Sequence, residues 1–357
     1  MAGPCWAIRW RCWVAERLAA HTTLRVGGPA AEFVSARTEA DLVRAVADAD
    51  AAGTPVLVLG GGSNLVVADA GFPGRVVEVA TTGVSADSDD PDDLACLGAV
   101  SVTVAAGEGW DDFVARTVSS GWVGVEALSG IPGSVGATPI QNVGAYGQEV
   151  AQTVASVRTW DRVDRAQRTF AAAECGFDYR TSRFKQQPDR YVVLEVTYLM
   201  RQGTLGGPIA YAELAGALDL PVGARAPLAA VREAVLALRS RKGMVLDAGD
   251  HDTWSAGSFF TNPVLAPGQV PEGAPSWPQP DGRVKTSAAW LIEHAGFGKG
   301  YGAGPARLSC KHTLALTNRG GASTDDLLVL AREVRDGVRG RFGIELVNEP
   351  VLVGCAL

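Results

Sequence analysis

Three short segments carry the side chains best suited to proton and charge chemistry. Phe177-Asp178-Tyr179-Arg180-Thr181-Ser182-Arg183-Phe184-Lys185 sets an arginine among aromatic and hydroxyl residues. Ala256-Gly257-Ser258-Phe259-Phe260-Thr261-Asn262-Pro263 places a serine after a glycine, and Asn348-Glu349-Pro350-Val351-Leu352-Val353-Gly354 places a glutamate before an apolar run. A fixed cation such as Arg180 can stabilise negative charge that develops during a reaction. A hydroxyl such as Ser258 can deliver a proton when held within hydrogen-bond reach, and a carboxyl such as Glu349 can act as an acid or orient its neighbours. Taken singly, each also has a structural explanation: a stacked arginine, a turn serine, a solvated glutamate.

Two glycine-dense runs add backbone chemistry. Gly60-Gly61-Gly62-Ser63-Asn64 follows the apolar run Val56-Leu57-Val58-Leu59, and a glycine turn lets backbone amides approach a phosphate closely. It is not a Walker loop, because no Lys follows at the required spacing. Nor does it open a helix, as a G-x-G-x-x-G fingerprint must, since Leu65-Val66-Val67 continues as a strand-like run. A plain tight turn is the alternative. The second run, Ser129 to Gly147, contains Gly130-Ile131-Pro132-Gly133-Ser134, Gly136-Ala137-Thr138, Ile140-Gln141 and Gly144-Ala145-Tyr146-Gly147. Its glycines and prolines forbid a long regular element, while Ile, Val and Tyr interleave as in a packed loop. Such a loop can wrap a planar cofactor with backbone donors and acceptors.

The elements that must position these residues follow from periodicity. Helical spacing predicts helices over Asp41 to Ala52, Trp110 to Ser119, Leu228 to Arg241, Ser287 to His294 and Asp325 to Arg339, the last with Thr324 as N-cap. Strands are expected at Val56–Leu59, Arg75–Val79, Ser101–Ala105, Val154–Trp160, Tyr191–Met200 and Thr313–Thr317, with a further element at Ser258–Phe260. Ser85 to Asp93 reads as a solvated hairpin tip or linker, and Ala266 to Pro280 as a surface loop. Alternating strands and helices broken by glycine loops indicate an α/β or α+β protein.

Composition bounds the function. The chain has 357 residues, 47% of them hydrophobic, and a net charge of −7. That length suggests about two or three domains, and the charge offers no general attraction to a nucleic-acid backbone. No apolar run reaches the ~18–20 residues of a membrane span. Cys5, Cys12, Cys96, Cys175, Cys310 and Cys355 are scattered without C-x-x-C pairs or zinc spacing, the pattern of reduced thiols in a cytosolic protein. Met1 to Arg17 lacks the apolar core of a signal peptide and reads as an extension. Asp247, Asp250, His251 and Asp252 read as a solvated loop, so no metal site is expected.

Together the glycine runs resemble the FAD-binding loops of bacterial UDP-N-acetylenolpyruvoylglucosamine reductases, within the vanillyl-alcohol-oxidase-like flavoprotein superfamily. His21-Thr22-Thr23-Leu24-Arg25-Val26-Gly27-Gly28-Pro29-Ala30 looks like that family's first FAD-contacting segment, and the resemblance runs from Leu18 to Gly354. It implies an α+β protein with α/β-type subdomains: an FAD-binding fold in residues 18–82 and 83–235, and a separate C-terminal substrate domain in 236–357. By the same resemblance FAD is bound non-covalently by Arg25, the 60–64 loop and the 130–147 run, and NADPH is the reductant. The implied reaction reduces the enolpyruvyl ether of UDP-N-acetylglucosamine to UDP-N-acetylmuramate, a step in peptidoglycan precursor synthesis.

Arg180, Ser258 and Glu349 match the family's catalytic arginine, proton-donating serine and glutamate. Tyr211 resembles the tyrosine loop of type I members, Lys242 a diphosphate-contacting lysine, and Asn262 a further polar contact. Trp277 and Lys285 fall at the uridine end. His312 stands where other members carry Gln, and Glu349 is followed by Pro350 where some members have a preceding proline. The expected protein is a cytoplasmic monomer taking a UDP-sugar. Two rivals are an alcohol or sugar oxidase of the same superfamily, with His21 beside an FAD loop, and a catalytically dead flavin or sugar-nucleotide sensor.

Overall fold

The computed structural model describes residues 16–87 and 98–357. A first unit runs through β1 (Ala30–Ala36), α1 (Glu39–Ala51), β2 (Val56–Leu59), β3 (Leu65–Val67) and β4 (Phe72–Val79). Thr38 caps α1, its hydroxyl oxygen accepting from the Asp41 amide at 3.1 Å, and the helix buries Leu42, Ala45, Val46 and Ala49. Parallel strands in the order β1-β4-β2 receive that face. The short β3 leaves this sheet and pairs elsewhere.

The second unit is an antiparallel sheet. It uses β5 (Val84–Asp87), β6 (Ala99–Ala105), the short β7 (Trp122–Val123), β10 (Val154–Asp161), β11 (Ala166–Ala171) and β12 (Tyr191–Gln202), in the order β11-β10-β12-β6-β5 with β7 on β12. Between them lie α2 (Trp110–Ser120), the two-residue strands β8 (Gly144–Ala145) and β9 (Gln148–Glu149), and the single turn α3 (Arg183–Gln186). Val100, Val102 and Val104 alternate inward on β6 and are fully buried, as a half-covered antiparallel strand requires. Helix α2 ends at Gly121 in the left-handed conformation, φ +71°, where a residue without Cβ carries no steric cost.

Two helices, α4 (Ala212–Ala217) and α5 (Leu228–Arg241), share a small core of Leu214, Val231, Val235 and Leu238. The C-terminal unit holds β13 (Val264–Leu265), β14 (Ser276–Pro278), β15 (Val284–Thr286), α6 (Ala288–His294), β16 (Ala306–Leu308), β17 (Leu316–Asn318), α7 (Thr324–Phe342) and β18 (Val351–Val353). Its core of Phe259, Phe260, Leu291, Leu327 and Val334 also takes in Leu24, Val26 and Val66. The last strand, β18, runs parallel to β3 with Val351, Leu352 and Val353 opposite Leu65, Val66 and Val67. Among the described residues no helix is long and apolar enough to cross a membrane.

Several local expectations are corrected. Ser323, not Thr324, caps α7: its hydroxyl accepts from the Asp326 amide at 3.1 Å, while the Thr324 hydroxyl donates to the Val67 carbonyl at 2.6 Å. The strand expected at Thr313–Thr317 lies at Leu316–Asn318, because the His312 carbonyl first closes a turn by accepting from the Ala315 amide. Ser85 to Asp87 belong to β5, and the rest of the expected hairpin tip lies outside the described residues. The Pro- and Gly-rich 266–280 segment carries the edge strand β14. Ser258–Phe260 is no strand; Phe260 makes one isolated bridge to Asn348. Strand β11, with four of its six residues exposed in a row, has no alternation to reveal it.

Candidate active site

Arg180 stands at the tip of a tight turn. Asp178 and Thr181 exchange both backbone hydrogen bonds, at 3.1 and 3.2 Å, leaving Tyr179 and Arg180 between them. Arg180 adopts φ +52°, a region uncommon for any residue with a Cβ. Its guanidinium donates from Nη2 to the Gly144 carbonyl at 2.8 Å and from Nη1 to the Asn142 carbonyl at 3.4 Å. Nε lies 3.2 Å from Glu349 Oε1, but its hydrogen points off that line, so this buried nitrogen has charge contact without a hydrogen bond. The cluster thus keeps one donor for an incoming acceptor.

Glu349 reaches this point through backbone pairing. Its amide donates to the Phe259 carbonyl at 2.8 Å, and Asn348 bridges Phe260, so the segment carrying Ser258 and the segment carrying Glu349 are laid side by side. Burial pushes the Glu349 carboxyl above its ordinary value, with Arg180 and Lys185 opposing the shift. Ser258 is half-buried. Lys185 donates from Nζ to the Arg180 carbonyl at 3.0 Å.

The two glycine runs meet. A Cβ on Gly61 would come within 2.7 Å of Gly133 Cα, and one on Gly133 within 2.8 Å of the Ser63 hydroxyl oxygen. The bare backbones are therefore needed for loop-on-loop contact. Asn64 Nδ2 fastens the pair by donating to Gln141 Oε1 at 2.8 Å, and Asp111 Oδ1 accepts from the Gly130 amide at 2.5 Å. Among the described residues, the amides of Gly61, Gly62, Ser63, Asn64, Gly133 and Ser134 donate to no protein acceptor. Converging free amides form an anion-binding concavity, which fits the phosphates of a dinucleotide. Nearby, a cavity of about 30 Å³ is lined by Pro132, Arg239, Ser255 and Gly257. Burial lowers the Arg239 guanidinium to about 10, and its Nε has no hydrogen-bond partner. This cation and these amides fit bound FAD. Arg25 covers the ring of Trp254 at 4.7 Å. His21, the histidine nearest an FAD loop, faces Glu16 at 2.9 Å and Glu78 at 3.6 Å.

A third cluster gathers the residues expected at the sugar nucleotide. Lys242 Nζ pairs with Glu213 Oε2 at 2.6 Å and lies 5.7 Å from the Tyr146 ring. Tyr211, 52% exposed, meets Tyr146 edge-on at 6.3 Å. His312 is held down to about 4 by burial, with Lys242 and Lys299 adding to the effect, so it is neutral at pH 7. Closer to Arg180, burial pushes the Tyr179 hydroxyl up, with the Arg180 charge opposing the shift, and Lys285 Nζ sits 4.5 Å over the Tyr179 ring. Asn262 Oδ1 accepts from the Ala288 amide at 2.9 Å. Trp277, 46% exposed, lies opposite Lys285 across β14 and β15.

Sequence reasoning passed over Tyr179, Lys185, Glu213 and Arg239. The first two lay inside the quoted arginine motif, and Glu213 two residues after Tyr211; charge and position were visible, but partners were not. The acidic 247–252 segment is occupied by ion pairs: Asp250 with Lys311 at 2.5 Å and Asp252 with Arg319 at 2.8 Å.

A profile of the UDP-N-acetylenolpyruvoylglucosamine reductase C-terminal domain matches residues 249–353, and one of an FAD binding domain matches residues 30–169. The UDP-N-acetylenolpyruvoylglucosamine reductase of Cutibacterium acnes is 60% identical over 95% of this chain and 90% of its own length. That of Thermobifida fusca is 57% identical over 95% and 97%. The crystal structure of UDP-N-acetylenolpyruvylglucosamine reductase from Thermus caldophilus superposes with a TM-score of 0.64 at 28% identity, covering 95% of this chain and 98% of that one.

Proposed function

Because this chain belongs to the UDP-N-acetylenolpyruvoylglucosamine reductase family, we propose that it reduces the enolpyruvyl ether of UDP-N-acetylglucosamine to UDP-N-acetylmuramate, with NADPH as reductant. The single observation that carries this reading is the meeting of Arg180, Glu349 and the Ser258 segment beside two glycine loops with free amides. When bound, FAD would supply the two-electron hydride chemistry that links NADPH to C3 of the enolpyruvyl group. The chain's own residues manage the charge and the proton. Negative charge then develops at C2 and spreads into the substrate carboxylate; the Arg180 guanidinium, fixed by Gly144 and Asn142, offers its free Nε–H there. Fixed donors in a poorly solvated site stabilise such charge strongly. Ser258 gives its hydroxyl proton to C2. Glu349, with its carboxyl raised by burial, hydrogen-bonds the substrate carboxylate or orients Arg180 and Ser258.

Substrate is anchored by Tyr211 and Lys242 at the diphosphate, by Asn262 and His312, and by Trp277 and Lys285 at the uridine. The flavin is held by Arg25, residues 60–64 and the 130–147 run. Residues 18–82 and 83–235 form the flavin-binding part, and 236–357 the substrate part. A cytoplasmic monomer completes the reading, since NADPH and nucleotide sugars are there; light scattering of the pure protein tests the monomer.

The reaction is tested anaerobically by bleaching the flavin with NADPH and then adding the enolpyruvyl sugar nucleotide, UDP-N-acetylenolpyruvoylglucosamine. Return of the visible flavin absorption with that substrate supports the reductase. Return only with oxygen sinks it in favour of an oxidase. Ser258→Ala is expected to bleach normally and reoxidise roughly 100- to 10,000-fold more slowly, the usual range for loss of a positioned proton donor.

A further inference from the structure

Lys185 is a charged, half-buried side chain that the mechanism above does not use. Its place is fixed from below. Ser182 caps α3, its oxygen accepting from the Phe184 and Lys185 amides at 3.2 and 3.3 Å, while its hydroxyl donates to the Ile140 carbonyl at 2.5 Å. From this anchored turn the ammonium reaches back to the Arg180 carbonyl at 3.0 Å. Among the described residues no other group donates to that carbonyl.

That contact falls where the backbone needs support. At φ +52° Arg180 occupies a position that glycine would take more easily, and a residue with a Cβ gives up about 1–2 kcal/mol there. A left-handed residue persists only where its surroundings over-determine it. The side chain of Arg180 is held at its far end by Gly144, Asn142 and Glu349. Its main chain is held at the near end by Lys185. The same ammonium lies close enough to Glu349 to favour that carboxylate's charged form, so a direct charge role is the competing explanation.

We infer that Lys185 is a positioning residue: by donating to the Arg180 carbonyl it holds the left-handed turn from which the guanidinium reaches the substrate. This rests on the assignment of Arg180 to charge stabilisation. The contact joins a residue five positions away to the tip of a two-residue turn, so it acts on where Arg180 points, and among the described residues Lys185 itself makes no hydrogen bond to either glycine loop.

The test is a double-mutant cycle read in separate half-reactions on the FAD-loaded protein. Lys185→Met is expected to leave flavin content and bleaching by NADPH unchanged. It should slow reoxidation by UDP-N-acetylenolpyruvoylglucosamine roughly 100-fold, the cost of a displacement near 1 Å. Lys185→Arg, which keeps a donor, should stay within about threefold of the parent on the same reasoning. In an Arg180→Ala background, Lys185→Met should add almost nothing, because a residue acting through another has no further effect once that other is gone. Additive losses would overturn the proposal and assign Lys185 to Glu349 or the substrate directly. Unchanged reoxidation in Lys185→Met would also overturn it. If Arg180→Ala itself reoxidises normally, the fault lies with the Arg180 assignment. Should Lys185→Met fail to retain FAD, Lys185→Arg decides: a 100-fold loss with the donor retained contradicts the proposal.

Discussion

A histidine held neutral by burial has a consequence for stability. The unfolded His312 titrates near its ordinary 6.5, and the folded one near 4. Between those values the unfolded chain binds more protons, so stability is fully present above about pH 6.5 and is lost as pH falls through about 4. His312→Gln removes that proton uptake. Urea unfolding at pH 7 and pH 4.5 should show the variant losing about 2 kcal/mol less than the parent over that interval. An equal loss would mean that His312 is not kept neutral by the fold. The neighbouring Lys242–Glu213 pair, at 2.6 Å, yields a second expectation. Glu213→Gln leaves Lys242 without its carboxylate, so UDP should inhibit roughly two- to fivefold more strongly, the scale of an exposed pair of about 0.2–1 kcal/mol. Lys242→Met should weaken the same inhibition. Weaker inhibition in Glu213→Gln would show that the carboxylate contacts ligand rather than competing with it.

At the scale of elements, the glycine loops act as a fitted pair. Gly61→Ala puts a methyl within 2.7 Å of Gly133 Cα, and backbone cannot yield as a flexible side chain does. Overpacking of about 1–3 kcal/mol becomes roughly a tenfold or greater loss of FAD affinity if the loops part. Titration of the apoprotein with FAD measures this; unchanged affinity would separate loop contact from cofactor binding. These loops were legible as loops because glycine and proline exclude regular structure, but their mutual contact was not, since the two runs are far apart in the chain. Helix α5 was read from Leu228 to Arg241 because its apolar period is sustained. The cap of α7 was misplaced by one residue because Ser323 and Thr324 are both capable caps, and the Val67 carbonyl decided between them. Arg180, Ser258 and Glu349 came from matched motifs; Lys185 was visible in one of them, but only the left-handed turn at Arg180 gave it a task.

At the scale of the molecule, charge fastens the first unit to the antiparallel sheet. Arg158 on β10 donates to Glu39 at the start of α1 at 2.6 Å and to Glu195 on β12 at 2.7 Å, and Arg162 reaches Asp50 at 2.7 Å. Arg158→Met should cost about 1–2 kcal/mol in urea unfolding, since the pairs are partly exposed and solvent screens them. No change would mean that apolar contact alone joins the two. A longer reach is made by the parallel pairing of β18 with β3. It sets Glu349, two residues before β18, against the loop that ends at Asn64, whose side-chain Nδ2 donates to the Glu349 carbonyl at 3.4 Å. Two segments about 285 residues apart, the glycine loop at 60–64 and Glu349, are thus brought together by one strand pair. While a ribosome is still short of Val353, the early loops can fold, because domains form as the chain emerges, but β3 has no partner and Glu349 no register. Translation therefore leaves the Glu349 segment unplaced against the 60–64 loop until Val353 has been added.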